Sequence, residues 1–71
     1  MILRTTSDLA QQVRARRREL GLTQEDLAAL ANLHRTYISL FESGRRAIRF
    51  DVALRILNTL GMDLDLLTRG G

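Results

Sequence analysis

Residues 23–42, TQEDLAALANLHRTYISLFE, predict two short helices joined by a tight turn. In the first of them, Leu27, Ala28 and Ala31 recur at the three- to four-residue spacing that gives a helix one buried face. Asn32 follows where the chain must reverse, and asparagine tolerates the left-handed backbone of a helix end better than most residues. The small side chains on the inner face indicate that the two helices pack closely.

The second helix of this pair has an apolar inner face and a polar outer face. Leu33 fills the corner between the helices, and Ile38 and Phe41 form the inner face. The outward positions carry side chains that donate or accept hydrogen bonds: His34, Arg35, Thr36, Tyr37 and Ser39. A helix pair with a small core and a polar, cationic outer face suits the major groove of DNA.

Start and stop signals place a further helix before this pair. Thr23 is a good N-cap for the pair itself, and Asp26 three residues later approximates a capping box. Ser7 predicts the start of a first helix that ends at Gly21, with residues 1–6 as a frayed end or a short extended arm. The predicted inner face of this first helix consists of Leu9, Val13, Arg17 and Leu20.

A fourth helix is predicted from about Phe50 to Leu60, with Gly61 ending it. Its inward positions are Phe50, Ala53, Ile56, Leu57 and Leu60. Arg49 stands where a serine or threonine cap is expected, which weakens the helix start by about 1 kcal/mol. The predicted fold class is therefore all-α, a compact four-helix DNA-binding domain that covers residues 1–71 as a single unit.

The end of the chain, residues 61–71, alternates between apolar and acidic side chains: Met62, Leu64 and Leu66 against Asp63 and Asp65. A period of two predicts a short C-terminal strand, but aspartate disfavours strands, so a fifth helical turn capped by Asp63 is the alternative. A strand over residues 62–69 would leave backbone groups unpaired unless the same strand of a second chain bound to it. Met62, Leu64 and Leu66 are therefore predicted to form the interface of a homodimer.

The composition excludes several classes of protein. The 71 residues make one domain near the lower size limit for an independent core. There is no cysteine for disulfides or thiolate metal sites, and no apolar run typical of a membrane span or a secretory leader. One histidine and no glycine-rich phosphate loop argue against catalysis, a cofactor or a metal centre. The eleven basic residues are all arginine, the net charge is +3, and a cytoplasmic location is expected.

The stretch LGLTQEDLAALANLHRTYISLFESGRR, residues 20–46, resembles the helix-turn-helix of the phage-repressor-like (Cro/C1, XRE) family. Its Leu-Thr-Gln, Leu-Ala, Tyr-Ile-Ser and Glu-x-Gly-x-Arg elements fall at the spacing of that family, and the match covers about residues 9–61. The tail is similar to one subgroup, the HipB-type antitoxins paired with HipA-type kinase toxins. The resemblance implies a lambda-repressor-like fold that binds double-stranded DNA.

The resemblance also assigns roles to residues around the helix pair. Arg17 and Glu42 would form a partly buried ion pair between the first and third helices, where a planar guanidinium suits a bidentate contact. Gln24, at the start of the second helix, would bind a phosphate near the free N–H groups of the helix end. Arg45 and Arg46 lie in the loop that contacts the phosphate backbone in the family.

The chemistry of the outer face predicts base readout. Arg35 can bind the O6 and N7 of guanine, and Thr36 and Ser39 can contact several bases or a thymine methyl. His34 departs from the usual serine or threonine cap, so either it contacts a base or phosphate or the helix begins one or two residues away. Tyr37 is predicted to place its hydroxyl on a phosphate, with packing against the second helix as the alternative.

These features predict a sequence-specific transcriptional regulator, an autorepressor that inserts its third helix into successive major grooves of a palindromic operator as a homodimer. The resemblance of the tail implies that the same protein is also the antitoxin of a HipA-like kinase toxin. The alternatives are a plain phage- or operon-type repressor without a toxin partner, and an antitoxin whose main task is to hold the toxin inactive. Leu30 and Leu40 stand where relatives are usually polar. Leu40 would either contact a thymine methyl or be covered by a partner.

Overall fold

The computed structural model describes residues 5–64, which form four α-helices and confirm the predicted all-α class. The helices are α1 (Thr6–Glu19), α2 (Gln24–Ala31), α3 (Arg35–Glu42) and α4 (Phe50–Thr59). Helix α2 packs against both α3 and α4, and α1 packs against α3. Between residues 5 and 64 there is no strand and no fifth helix, and no helix there is both long enough and apolar enough to cross a membrane.

Helix α1 begins earlier than the predicted start at Ser7, because its first residue is Thr6 and its N-cap is Thr5. The Thr5 hydroxyl accepts a hydrogen bond from the Asp8 N–H at 3.2 Å, and the Asp8 carboxylate accepts one from the Thr5 N–H at 3.1 Å. This reciprocal capping box satisfies two N–H groups that a helix start leaves free. The prediction that residues 1–6 are frayed or extended is therefore wrong for Thr6, which is helical, whereas Thr5 has an extended backbone, at φ −142° and ψ 166°, and serves as the cap.

Helix α2 has the predicted cap and the predicted turn. The Thr23 hydroxyl accepts from the Asp26 N–H at 3.0 Å, and the Asp26 carboxylate accepts from the Thr23 N–H at 2.9 Å. The backbone N–H of Thr23, and secondly its side chain, lower the pKa of Asp26. Because the carboxylate is favoured in the folded state, this cap contributes above the unfolded-state pKa and is lost as the pH falls through the folded value. Asn32 then adopts the left-handed conformation, at φ 56° and ψ 49°.

The core lies between all four helices and consists mainly of side chains that the sequence pattern placed inward; Ala10 is a buried member that the pattern missed, and Leu20 and Phe50 are predicted members that are exposed. Its buried hydrophobic members are Ala10, Val13, Leu27, Ala28, Ala31, Ile38, Phe41, Ala53, Ile56, Leu57 and Leu60. Leu20 is 45% exposed because it is the C-cap of α1, beyond the last helical turn. Phe50 is 64% exposed because Val52 takes the packed position in the first turn of α4. The predictions that Leu20 and Phe50 face inward are wrong.

The segment after α4 returns to the core of its own chain. Gly61 takes a positive φ of 69°, and the Met62 N–H donates to the Leu57 carbonyl at 2.9 Å. Met62 and Leu64 are half-buried against the core, and Asp63 between them is exposed. The predicted alternation is therefore present in residues 62–64, but its apolar side packs against the same chain. Leu66 and the rest of the predicted 62–69 dimerisation segment lie outside the described residues.

Candidate DNA-binding surface

Arg17 and Glu42 hold the first helix against the end of the third. The Arg17 Nε–H donates to Glu42 Oε2 at 2.8 Å, and the Nη2 group donates to Oε1 at 2.9 Å. A third donor, Nη1, binds the Leu22 carbonyl at 2.8 Å. The two side chains are only 10% and 3% exposed, and the hydrogen bond to Glu42 raises the pKa of Arg17. This bidentate pair fixes the position of α3 relative to α1.

Gln24 is the first residue of α2 and lies beside that ion pair. Its Nε2 group donates to Glu42 Oε1 at 3.3 Å, so its side chain is held at the junction of α1, α2 and α3. A shallow polar depression starts here and reaches Arg35; it is lined by Arg17, Gly21, Leu22, Thr23, Gln24, Glu25 and Arg35. The acids Glu25 and Asp26 in the first turn oppose the attraction of the helix end for an anion. The predicted phosphate contact of Gln24 remains a prediction.

Helix α3 presents a polar face away from the core. Ile38 and Phe41 are buried, as predicted for the inner face. On the other side, Arg35 and Thr36 are exposed, and Ser39 is half-buried. Because Arg35 has no carboxylate partner among residues 5–64, its guanidinium is available to a ligand.

His34 begins α3 as its N-cap. Its Nδ1 atom accepts a hydrogen bond from the Thr36 N–H at 3.1 Å, and Arg35 is the first helical residue. The alternative that the helix begins one or two residues away is therefore wrong. Because an accepting Nδ1 carries no proton, the neutral ring is protonated on Nε2. The exposed His34 can thus cap α3 and still offer one donor to a base or phosphate.

The loop after α3 places two arginines beside that helix. Gly44 adopts a positive φ of 76°, and the Arg45 N–H donates to the Leu40 carbonyl at 2.9 Å, which closes the end of the helix. The Arg46 guanidinium lies over the Tyr37 ring at 4.8 Å from its centroid, a cation–π contact. Neither arginine pairs with an acid within residues 5–64. Tyr37 therefore positions Arg46, a role that the sequence did not predict.

Two other arginines have structural contacts that sequence reasoning missed. Arg16 donates from Nε to the Leu60 carbonyl at 3.0 Å, and Arg55 donates from Nη1 to the Ala31 carbonyl at 3.4 Å. Both close the carboxyl end of a helix from another part of the chain. Of the four arginines on α1, Arg16 and Arg17 therefore stabilise the fold, and Arg14 and Arg18 are exposed. Within residues 5–64 no group of three His, Cys, Asp or Glu side chains could hold a metal ion.

The sequence matches the model of the helix-turn-helix family HTH_3 over residues 13–67. It is 32% identical over 68 residues to the uncharacterized HTH-type transcriptional regulator y4mF of Sinorhizobium fredii, covering 96% of this chain and 90% of that protein. It is 38% identical over 64 residues to the control protein C.SmaI of Serratia marcescens, covering 89% of this chain and 76% of that protein.

Solved structures show the same fold. The restriction-modification controller protein C.Esp1396I superposes with a TM-score of 0.78 at 36% identity, over 82% of this chain and 74% of that one. A chain of the HipA-HipB-O2-O3 complex superposes with a TM-score of 0.86 over 99% of both chains, at 23% identity. The family match, the two sequence relatives and the α2–α3 geometry agree. The chain therefore belongs to the Cro/C1-type helix-turn-helix family of DNA-binding transcriptional regulators.

Proposed function

We propose that this protein is a homodimeric repressor, most simply of its own operon, that reads a palindromic operator by inserting α3 into successive major grooves. The observation that carries the proposal is the outer face of α3, where Arg35, which pairs with no acid in the described part of the chain, lies beside exposed hydrogen-bonding side chains. The ion pair of Arg17 with Glu42 makes this face rigid. A rigid, cationic helix face suits a groove that displays a distinct pattern of donors and acceptors at each base pair.

The surface divides into a reading part and an anchoring part. The residues proposed to read bases are Arg35, Thr36, Ser39 and His34, and those proposed to bind phosphates are Gln24, Tyr37, Arg45 and Arg46. The anchoring arginines lie in the loop after the carboxyl end of α3, and Gln24 lies at the amino end of α2. Phosphate contacts at both ends of the helix pair would fix the orientation of α3 in the groove.

The first prediction concerns Arg35. Arg35→Ala is expected to weaken operator binding by about 1–3 kcal/mol per half-site and to relax the preference at one base pair, because a bidentate contact to guanine is lost. The measurement is a binding isotherm on the operator and on random DNA, after the operator has been selected from a random pool. Arg35→Lys is the matched control, since it keeps the charge but loses the planar fork. Equal losses on operator and random DNA would assign Arg35 to a phosphate.

The second prediction concerns Arg45 and Arg46. Replacing either by alanine is expected to weaken binding to all sequences alike and to lower the slope of log K against log salt by roughly 1 per half-site, hence by roughly 2 for the homodimer, because one fewer counterion is released at each half-site. Lysine at the same positions should keep the slope, and Gln24→Ala should weaken binding with no change in base preference. Slopes that stay unchanged in both alanine variants would remove these arginines from the phosphate contacts.

Dimerisation through residues 62–69 is supported by an exposed apolar surface next to the described part of that segment. Phe50 and Leu54 on α4 are exposed, and they line a groove together with Leu64. The groove is mostly apolar and is bounded by Thr5, Thr6, Leu9, Ile48, Phe50, Ala53, Leu54, Leu57 and Leu64. A second chain that covered this surface would remove it from water and add to a core that is small for a free monomer.

We also propose an antitoxin role as the second candidate function, with a HipA-like kinase toxin as the partner. Its support is the extent of the fold match. The superposition on a chain of the HipA-HipB-O2-O3 complex spans 99% of both chains, whereas the superposition on the controller protein spans 82% of this one. The relatives at higher identity are regulators or controllers, which supports repression without a toxin as the alternative.

The third prediction tests this partner directly. Co-expression with a HipA-like protein encoded beside this chain is expected to give a stable complex in a pull-down and to relieve the toxicity of that protein. The Arg35→Ala variant is the control, because a loss of operator reading should leave toxin binding intact. If no kinase-like gene lies beside the gene for this chain and the pull-down recovers no partner, the function would be restricted to operator binding.

A further inference from the structure

Leu40 lies on the outward side of α3, beside Thr36. Successive residues of a helix are rotated by about 100°, so the residues two before and two after the buried Ile38 both point to the opposite side. These residues are Thr36 and Leu40, which are one turn apart and therefore neighbours on that side. The proposed reading face thus carries an aliphatic side chain among hydrogen-bonding ones.

The position of Leu40 is fixed by the end of its helix. Its carbonyl accepts hydrogen bonds from the Ser43 hydroxyl at 3.0 Å and from the Arg45 N–H at 2.9 Å. The side chain is half-buried, yet Leu40 is not among the hydrophobic residues that pack against the core. The backbone of Leu40 is therefore held in place, and the exposed part of its apolar side chain is open to a ligand.

From this geometry we infer that Leu40 reads a thymine by contact with its C5-methyl group, together with the methyl of Thr36. The inference rests on the proposed insertion of α3 into the major groove. On the base edges of that groove, the thymine methyl is the apolar feature, and the other edges present donors and acceptors. An aliphatic side chain placed over such a polar edge would displace water and offer no hydrogen bond in return, which disfavours the other bases.

The test compares thymine with uracil, which differs by that methyl alone. In the selected operator, each thymine of one half-site is replaced singly by uracil, and binding is measured for the wild type. Burial of one methyl predicts a loss of about fourfold at one thymine per half-site, and of about sixteenfold when both half-sites are changed. The Leu40→Ala variant is expected to bind uracil and thymine operators equally. Leu30→Ala, which removes an exposed leucine from α2, should keep the uracil penalty.

Two results would overturn the inference while leaving the proposed function in place: operator binding that no uracil substitution weakens, and a uracil penalty that is the same in Leu40→Ala. Circular dichroism of both leucine variants excludes loss of the fold as the cause of either result. A wild-type protein that binds no operator in the selection would instead contradict the proposed function itself.

Discussion

Glu42→Ala is expected to lower the free energy of unfolding by about 3–5 kcal/mol, because it leaves the Arg17 guanidinium buried without its counter-ion. Glu42 accepts from Arg17 and from Gln24, so the substitution also frees the side chains at the junction of α1, α2 and α3. A loss of this size is a large fraction of the stability of a small domain. Urea unfolding followed by circular dichroism measures it as a shift in midpoint at constant slope.

Two controls separate burial from charge. Glu19→Ala breaks the exposed ion pair of Arg16 with Glu19, whose Nη1 and Oε2 atoms are 3.0 Å apart, and is expected to cost less than about 1 kcal/mol. The double variant Arg17→Met with Glu42→Leu removes both buried charges and should be much more stable than Glu42→Ala alone. If Glu42→Ala and Glu19→Ala unfolded at the same urea concentration, the buried pair would not stabilise the fold.

Helix caps and turns could be predicted from the sequence where they depend on residues close together in the chain. Thr23, Asp26 and Asn32 were correctly assigned because caps and reversals are decided within four residues. Thr5 and Asp8 form a capping box at the same spacing, but it was not predicted because residues 1–6 were assigned to a frayed or extended arm. Leu20 and Phe50 were placed wrongly because periodicity shows which side of a helix is apolar and not where the core ends.

The sequence predicted which residues form the candidate site, but not which side chains of the site contact each other. The identity of the outward residues on α3 follows from helical periodicity, which the burial of Ile38 and Phe41 confirms. The contacts of Gln24 with Glu42 and of Arg46 with Tyr37 depend on where whole helices and loops lie in the fold. Sequence spacing does not contain that information, so these residues were predicted as phosphate ligands without their structural partners.

The other large effect is expected from removal of residues 65–71. A chain that ends at Leu64 keeps Met62 and Leu64, which pack against its own core, and loses the rest of the proposed dimerisation segment. We expect a folded monomer whose affinity for the full operator falls by on the order of 10²–10⁴, because the second half-site is no longer bound by a linked partner. Sedimentation measures the association, and binding to full and half operators measures the affinity.

The half operator is what makes this result specific to dimerisation. One helix-turn-helix contacts one half-site, and two half-sites lie about 34 Å apart on one face of DNA. The shortened chain should therefore bind an isolated half-site with the same affinity as the full-length chain. A misfolded chain would bind neither the half operator nor the full operator. Truncation after Gly61 also removes Met62 and Leu64 and should unfold at a lower urea concentration. If the chain ending at Leu64 still sediments as a dimer, the interface lies on α4, where Phe50 and Leu54 are exposed, and Phe50→Glu should then separate the subunits.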